Sequence, residues 1–272
     1  MAQCRVVQMA VVFMVMTLAG GQVPIPPRHA GFVYRCGHNN APIHFDLYID
    51  LTCSDSLVAF PTVRKVADHY GPDKLRLTTF LFALPYHRNA YATTKGAHAV
   101  DIITRGNLTY TWFATVFNNI ASLTDSATRN LTDIDVLNRL VSLASAIGVP
   151  DVQFRQQIVS NLVSSLARNG WKYACTRSVA ETPSFFINGV AVRDAQSTWT
   201  EQQWHQLIDS LLTDTAYQIY SGDCEGLNPI VNPTRYEPHR ADHLSAAHTV
   251  QSSFATSVLS FVFIAHIIII VS

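Results

Sequence analysis

From residue 43 to 50 the chain alternates, with Ile43, Phe45, Leu47 and Ile49 separated by polar or aromatic positions, which predicts a half-buried strand. Helical spacing follows over residues 54–70, where Leu57, Phe60, Val63 or Arg64, and Ala67 share a face. Pro61 lies inside that run and is expected to kink it, and Gly71-Pro72 ends it. Residues 75–82 read as a second, buried strand. The pattern is then helical from 89 to 181. One apolar stripe runs through Ile134, Leu137, Val141, Ala144 and Ile147, with Asp133 as its cap, and another through Phe154, Ile158, Leu162 and Leu166. Strand signals return at 184–187 and 190–192 around the turn Asn188-Gly189, a hairpin signature. Residues 200–212 close as an amphipathic helix holding Trp204, Leu207, Ile208 and Leu211, and Pro229, Pro233 and Pro238 then break any regular element. The order is strand, helix, strand, helical block, hairpin, helix. It describes an α/β sheet with an all-helical insertion at about 89–181. There is no internal repeat.

The two ends fall outside this pattern. Arg5 precedes a largely apolar stretch at 6–18 and the small residues Ala19, Gly20 and Gly21, the order of a secretory signal peptide occupying residues 1–21. A bilayer core needs about 20 apolar residues, more than this stretch supplies. At the other end residues 258–271 are apolar except for Ser260 and His266, with no basic residue behind them. Small residues at Ser245-Ala246-Ala247 and a mostly polar spacer at 248–257 precede that tail. The arrangement is that of a glycosylphosphatidylinositol signal, with Ser245 as the expected attachment site, Ser252 or Ser253 as the alternatives, and 246–272 removed. The organisation expected is thus a signal peptide at 1–21, an N-terminal segment at 22–42, a folded domain at 43–213, a stalk at 214–245 and the removed segment. Within a secretory pathway, the sequons at Asn107 and Asn130 are expected glycosylation sites, whereas Asn232-Pro233-Thr234 is excluded by its proline. The expected location is the extracellular face of the plasma membrane.

Composition removes several function classes. Charged residues make up only 14% of the chain, against roughly 25% in ordinary soluble domains, and 19 Lys+Arg balance 19 Asp+Glu. A neutral body of this kind is neither a basic nucleic-acid binder nor a disordered acidic segment, and apolar runs at the two ends alone are not a polytopic membrane protein.

Candidate chemistry centres on Cys53, which follows the first strand and opens the first helix in Asp50-Leu51-Thr52-Cys53-Ser54-Asp55-Ser56. A sulfur there faces the free N–H groups and positive dipole end of the helix, which favour thiolate, although Asp55 opposes this and reads chiefly as a dipole-matching residue. A buried structural cysteine is the alternative. The second motif is Thr182-Pro183 before Ser184-Phe185-Phe186-Ile187-Asn188-Gly189, a setting that suits a cis peptide bond. Cys36 and Cys224 bracket the domain and are expected to pair, a closure worth about 5 kcal/mol on the chain-entropy model. Four mature cysteines allow three connectivities, so a Cys53–Cys175 pair also stays open, although Cys175 reads first as a buried thiol on a face with Trp171 and Val179. His87 is expected to cap the following helix. His239 and His243, four apart in the stalk, lack further ligands, and no metal or resident cofactor is expected.

Together these residues resemble the thioredoxin superfamily, in the DsbA-like variant with an inserted helical domain. The resemblance covers about 43–212 and is nearest to secreted thioredoxin-like proteins, as found in plants, with a single-cysteine Thr-Cys-x-Asp-Ser site. Cys53 matches the family's nucleophile, Pro61 its helix proline, and Thr182-Pro183 with the following hairpin its cis-proline. Leu84-Pro85-Tyr86-His87-Arg88-Asn89-Ala90 resembles a Pro-x-His-x-x-Ala segment of such proteins. The resemblance implies thiol chemistry on protein thiols or disulfides, with Cys53, Ser56, Thr182 and Pro183 forming the site. The departure is Ser56, which replaces the second cysteine of C-x-x-C and cannot form a disulfide. Monothiol exchange or isomerisation through Cys53 is therefore the leading expectation. A redox-inactive binding or adhesion module with an extracellular protein partner is the second. A glutathione-dependent transferase or isomerase, with glutathione as cosubstrate, is the third.

Overall fold

The computed structural model describes residue 25 and residues 30–213. The expected signal peptide at 1–21, the whole of the expected stalk at 214–245 with Ser245, Cys224, His239 and His243, and the segment 246–272 lie outside the described residues.

Five strands form one mixed sheet in the order β1-β3-β2-β4-β5. The strands are β1 (Phe32–Val33), β2 (Ile43–Ile49), β3 (Leu75–Leu81), β4 (Ser184–Ile187) and β5 (Val190–Ala191). Central β2 runs parallel to β3, pairing Ile43 with Leu75 and Ile49 with Leu81, and antiparallel to β4, pairing Phe45 with Ile187. Asn188 and Gly189 both have positive φ, 49° and 81°, as a tight two-residue hairpin of the β4–β5 kind requires. The Asn188 side chain also ties that turn to β2, accepting from the His44 N–H at 2.7 Å and donating to the Pro42 carbonyl at 3.1 Å.

The alternation of β2 sends Phe45, Leu47 and Ile49 into the main core. The helices α1 (Ser54–Tyr70) and α8 (Glu201–Leu212) cover this face. Trp204 and Ile208 of α8 are fully buried, and Trp204 lies 4.8 Å from the Phe45 ring and 5.1 Å from Phe185. Thr200 starts α8 with a capping box to Gln203. Helix α1 continues through Pro61, which occupies an exposed position.

The helical insertion between β3 and β4 comprises α2 (Ala90–Thr104), α3 (Thr109–Asn118), α4 (Asp125–Thr128), α5 (Asp133–Ala146), α6 (Asp151–Ile158) and α7 (Asn161–Thr176). Its details correct three expectations. The cap of α5 is Thr132, in a capping box with Asp135, and Asp133 is the first helical residue. The buried stripe of α5 runs through Val136, Leu140, Val141 and Ala144, leaving Ile134 69% exposed. The run through Phe154, Ile158, Leu162 and Leu166 is two helices, because Ser160 caps α7 by accepting from the Val163 N–H; Val163 and Ala167 then turn inward and Leu162 outward. The second face of the sheet is covered by α7, whose Ala174 packs in a separate cluster with Tyr48, Phe80 and Phe186.

Among the described residues no helix is long and apolar enough to cross a membrane. Asn107 and Asn130 are exposed in turns, one between α2 and α3, the other after α4.

Candidate functional site

The site grows from the end of β2. Asp50, 1% exposed, ends the strand and folds a tight turn: its carboxylate Oδ1 accepts from the Thr52 N–H and hydroxyl, both at 2.7 Å, and its carbonyl accepts from the Cys53 N–H at 3.1 Å. The other carboxylate oxygen accepts from the Leu84 N–H at 3.0 Å and from His87 Nδ1 at 2.9 Å. One buried carboxylate thus holds the turn before Cys53 against the loop that follows β3. A charge in that position is tolerable because every direction around it carries a donor. His87 is therefore spent on Asp50 instead of capping α2, and Asn89, at the cap position, donates its side-chain amide to Leu123 and Thr128 at 2.8 Å each.

Cys53 stands at the N-cap of α1 with an extended backbone, φ −87° and ψ 128°. Its sulfur makes no capping bond; the thiol instead donates to the Thr182 carbonyl at 3.3 Å. The Thr182–Pro183 bond is cis. The structure thus brings together two of the motifs read from the sequence, 129 residues apart. Only 6% of Cys53 is exposed. As the N-cap residue, Cys53 stands at the positive end of the α1 dipole. The Thr182 hydroxyl is buried without a partner.

Ser56, fully buried, lies one helical turn beyond Cys53, where a second cysteine of C-x-x-C would stand, and its hydroxyl accepts from the Asp50 N–H at 3.3 Å. Asp55 is exposed in the first turn of α1 and accepts from the Ser197 hydroxyl at 3.4 Å. Among the described residues Cys36, Cys53 and Cys175 are free thiols. Cys175 is exposed on α7, not buried as its helical spacing had suggested, because the buried face of α7 runs through Val163, Ala167 and Ala174, and Cys175 lies off it with the exposed Trp171. Partial desolvation pushes its thiol above the ordinary range. Trp171 of the same helix stacks on Phe82 at 5.6 Å and donates to the Ala83 carbonyl at 3.1 Å, so α7 leans on the loop that Asp50 secures. The pairing of Cys36 with Cys224 falls partly outside the described residues. Among the described residues no group of three or more His, Cys, Asp or Glu side chains could hold a metal.

Asp50 and its bond to His87 were not legible as site features. The signal was an acid at the apolar end of a strand, three residues before the cysteine, and a lone histidine after the next strand.

Comparison with known proteins agrees with this fold. The structure is similar to alpha-DsbA1 of Wolbachia pipientis, at 20% identity and a TM-score of 0.56, over 73% of this chain and 96% of that one. It is also similar to oxidised BdbD of Bacillus subtilis, at 12% identity and a TM-score of 0.52, over 68% and 94%. At these identities the likeness is one of fold. No curated protein matches the sequence. The family model described as thioredoxin matches residues 32–210, from β1 almost to the end of α8, and the chain belongs to the thioredoxin family with a DsbA-like helical insertion.

Proposed function

We propose that this protein carries out monothiol thiol–disulfide exchange through Cys53 on protein substrates, displayed on the outer cell surface by a lipid anchor and glycosylated at Asn107 and Asn130. The observation that carries the reading is the Cys53 sulfur at a helix start, 3.3 Å from the Thr182 carbonyl beside Pro183. A nucleophile there faces the peptide edge along which an extended substrate chain would lie.

The chemistry is a two-step exchange. The Cys53 thiolate attacks one sulfur of a substrate disulfide, forming a mixed disulfide and releasing the other sulfur as a thiolate. An external thiol, glutathione or a protein cysteine, then attacks the mixed disulfide and returns Cys53 as thiolate. When the attacking thiol belongs to the substrate itself, the outcome is isomerisation. Ser56 takes no part in electron transfer and holds the turn.

One observation favours a second reading, a binding module without redox turnover: Cys53 is 6% exposed. Reactivation of scrambled ribonuclease in a glutathione buffer separates the two. The mature protein should accelerate it, Cys53→Ser should reduce it to background, and Ser56→Cys should add an intramolecular disulfide and dithiol oxidation. Cys53→Ser acting like wild type would sink the exchange reading, and partner capture by that variant would favour the module. A glutathione-dependent transferase would instead bind glutathione saturably with no protein substrate present. For the anchor, phosphatidylinositol-specific phospholipase C should release the protein from cells, and resistance to it would contradict the attachment at Ser245.

A further inference from the structure

The helical insertion carries its charge unevenly. The charged side chains of α7 are Arg168 and Lys172, both exposed, and that helix holds no acid. Lys95 stands in the second turn of α2, which packs against α7. Side-chain contacts join these cations across the two helices. Lys95 Nζ lies over the Tyr91 ring, 5.5 Å from its centre. The Tyr91 hydroxyl donates to the Ser164 carbonyl at 3.2 Å and lies 3.1 Å from the Ser164 hydroxyl, which accepts from Arg168 Nη1 at 2.9 Å. Lys172 follows Arg168 by one helical turn. Among the described residues no carboxylate pairs with any of the three.

Aromatic rings are interleaved with these charges and lead toward the thiol. Exposed Trp171 lies between Arg168 and Lys172, stacks on Phe82 and donates to the Ala83 carbonyl. In the same loop the Leu84 N–H and His87 bond the Asp50 carboxylate, and the Asp50 carbonyl accepts from the Cys53 N–H. Tyr86 of that loop is exposed as well. A single loop thus joins α7 to the turn that carries Cys53. We propose that Lys95, Arg168 and Lys172, with Tyr91 and Trp171, form a docking face for an acidic segment of the substrate polypeptide. The partner's identity rests on thiol exchange at Cys53, whereas its charge follows from the face itself.

Like charges one turn apart on a helix repel, so Arg168 and Lys172 work against α7 unless an opposite charge stands over them. An acidic chain supplies that charge. Its apolar side chains gain contact area from the rings of Tyr91 and Trp171, and aromatic residues with arginine are the composition of protein interfaces. The Ser164 and Ser165 hydroxyls accept from the Arg168 guanidinium at 2.9 Å and 3.4 Å, which leaves it less freedom to lose when a carboxylate arrives. Complementary charge on an exposed face acts on encounter rate and on the choice of partner, and salt screens it. The face therefore selects among substrates, and Cys53 carries the exchange.

The test is fluorescence anisotropy of labelled, cysteine-free peptides on the mature chain. One peptide sets Asp and Glu around a Leu-Phe pair, and its counterpart carries Lys at the acidic positions. The acidic peptide should bind saturably and about tenfold more tightly, a preference that shrinks as sodium chloride rises from about 20 mM to about 300 mM. Charge reversal by Lys95→Glu together with Arg168→Glu should invert the order of the two peptides, which a variant that merely unfolds would not do. Cystine forms of both peptides, followed in a glutathione buffer, separate docking from chemistry: charge-selective binding without exchange supports the face and removes the thiol reading alone. Equal affinity for the two peptides, or a preference indifferent to the reversal, would overturn the proposal. Displacement of the acidic peptide by heparin at a far lower concentration of charge would overturn it too, by assigning the face to a polyanion.

Discussion

The sheet buries polar side chains in two places around β2, and the two places handle them differently. At the C-terminal end Asp50 is almost wholly buried, yet its carboxylate accepts from Thr52, Leu84 and His87, and Ser56 accepts from its N–H. On the face of the sheet under α7, Arg177 Nε and the Tyr48 hydroxyl are buried without a hydrogen bond of normal geometry. The matched network holds three segments around Cys53 in one geometry. The second gains no such rigidity. Polar burial thus braces the turn around Cys53 and supplies no such brace under α7. The Thr182 hydroxyl is the exception at the Cys53 end, buried and unpartnered.

This contrast breaks most visibly at Asp50. Asp50→Ala leaves His87, the Leu84 N–H and the Thr52 N–H without their acceptor, and should destabilise the fold by about 3–5 kcal/mol in urea unfolding. A loss below about 1 kcal/mol would show that the network does not hold the site. Asn188→Ala comes next. It removes the bonds to His44 and Pro42 from a residue whose positive φ asparagine tolerates, and should cost about 1–2 kcal/mol by the same measurement.

Alkaline pH sharpens the comparison further. Burial holds the Tyr48 and Tyr110 phenols above their ordinary range, so the folded state keeps them neutral while the unfolded chain ionises at about pH 10. The stability they contribute is full below pH 10 and is lost as pH rises beyond it. Unfolding free energy measured at successive pH values should therefore fall above pH 10, and Tyr48→Phe should flatten the slope by about 1.4 kcal/mol per pH unit. The smallest effect has the opposite sign. At pH 7, Tyr48→Phe should be neutral or stabilising by up to about 1 kcal/mol, because it removes a buried hydroxyl that bonds nothing. A clear loss of Tm would mean that Tyr48 is already paired in the resting protein.

Local patterning was enough for much of this protein. Alternation in β2, the Asn188-Gly189 turn, the bounds of α1 and the helical character of the insertion all follow from neighbours within a few residues, which is the range over which backbone preference acts. Cys53 at a helix start and Thr182-Pro183 before a strand were legible for the same reason. What the helices bury was not. The stripe of α5 is shifted and Leu162 faces outward, because the packing partner chooses the face and the Ser160 cap resets the phase of α7. Gly96 shows the same dependence: a Cβ there would sit 2.4 Å from the Trp112 ring, a constraint invisible in a lone glycine. Cys175 turns outward because α7 packs through Val163, Ala167 and Ala174 instead. Asp50, His87 and the face shared by α2 and α7 belong wholly to the tertiary structure. A buried carboxylate is defined by donors from distant segments, and a docking face by the elements that form it, and neither has a period along the chain.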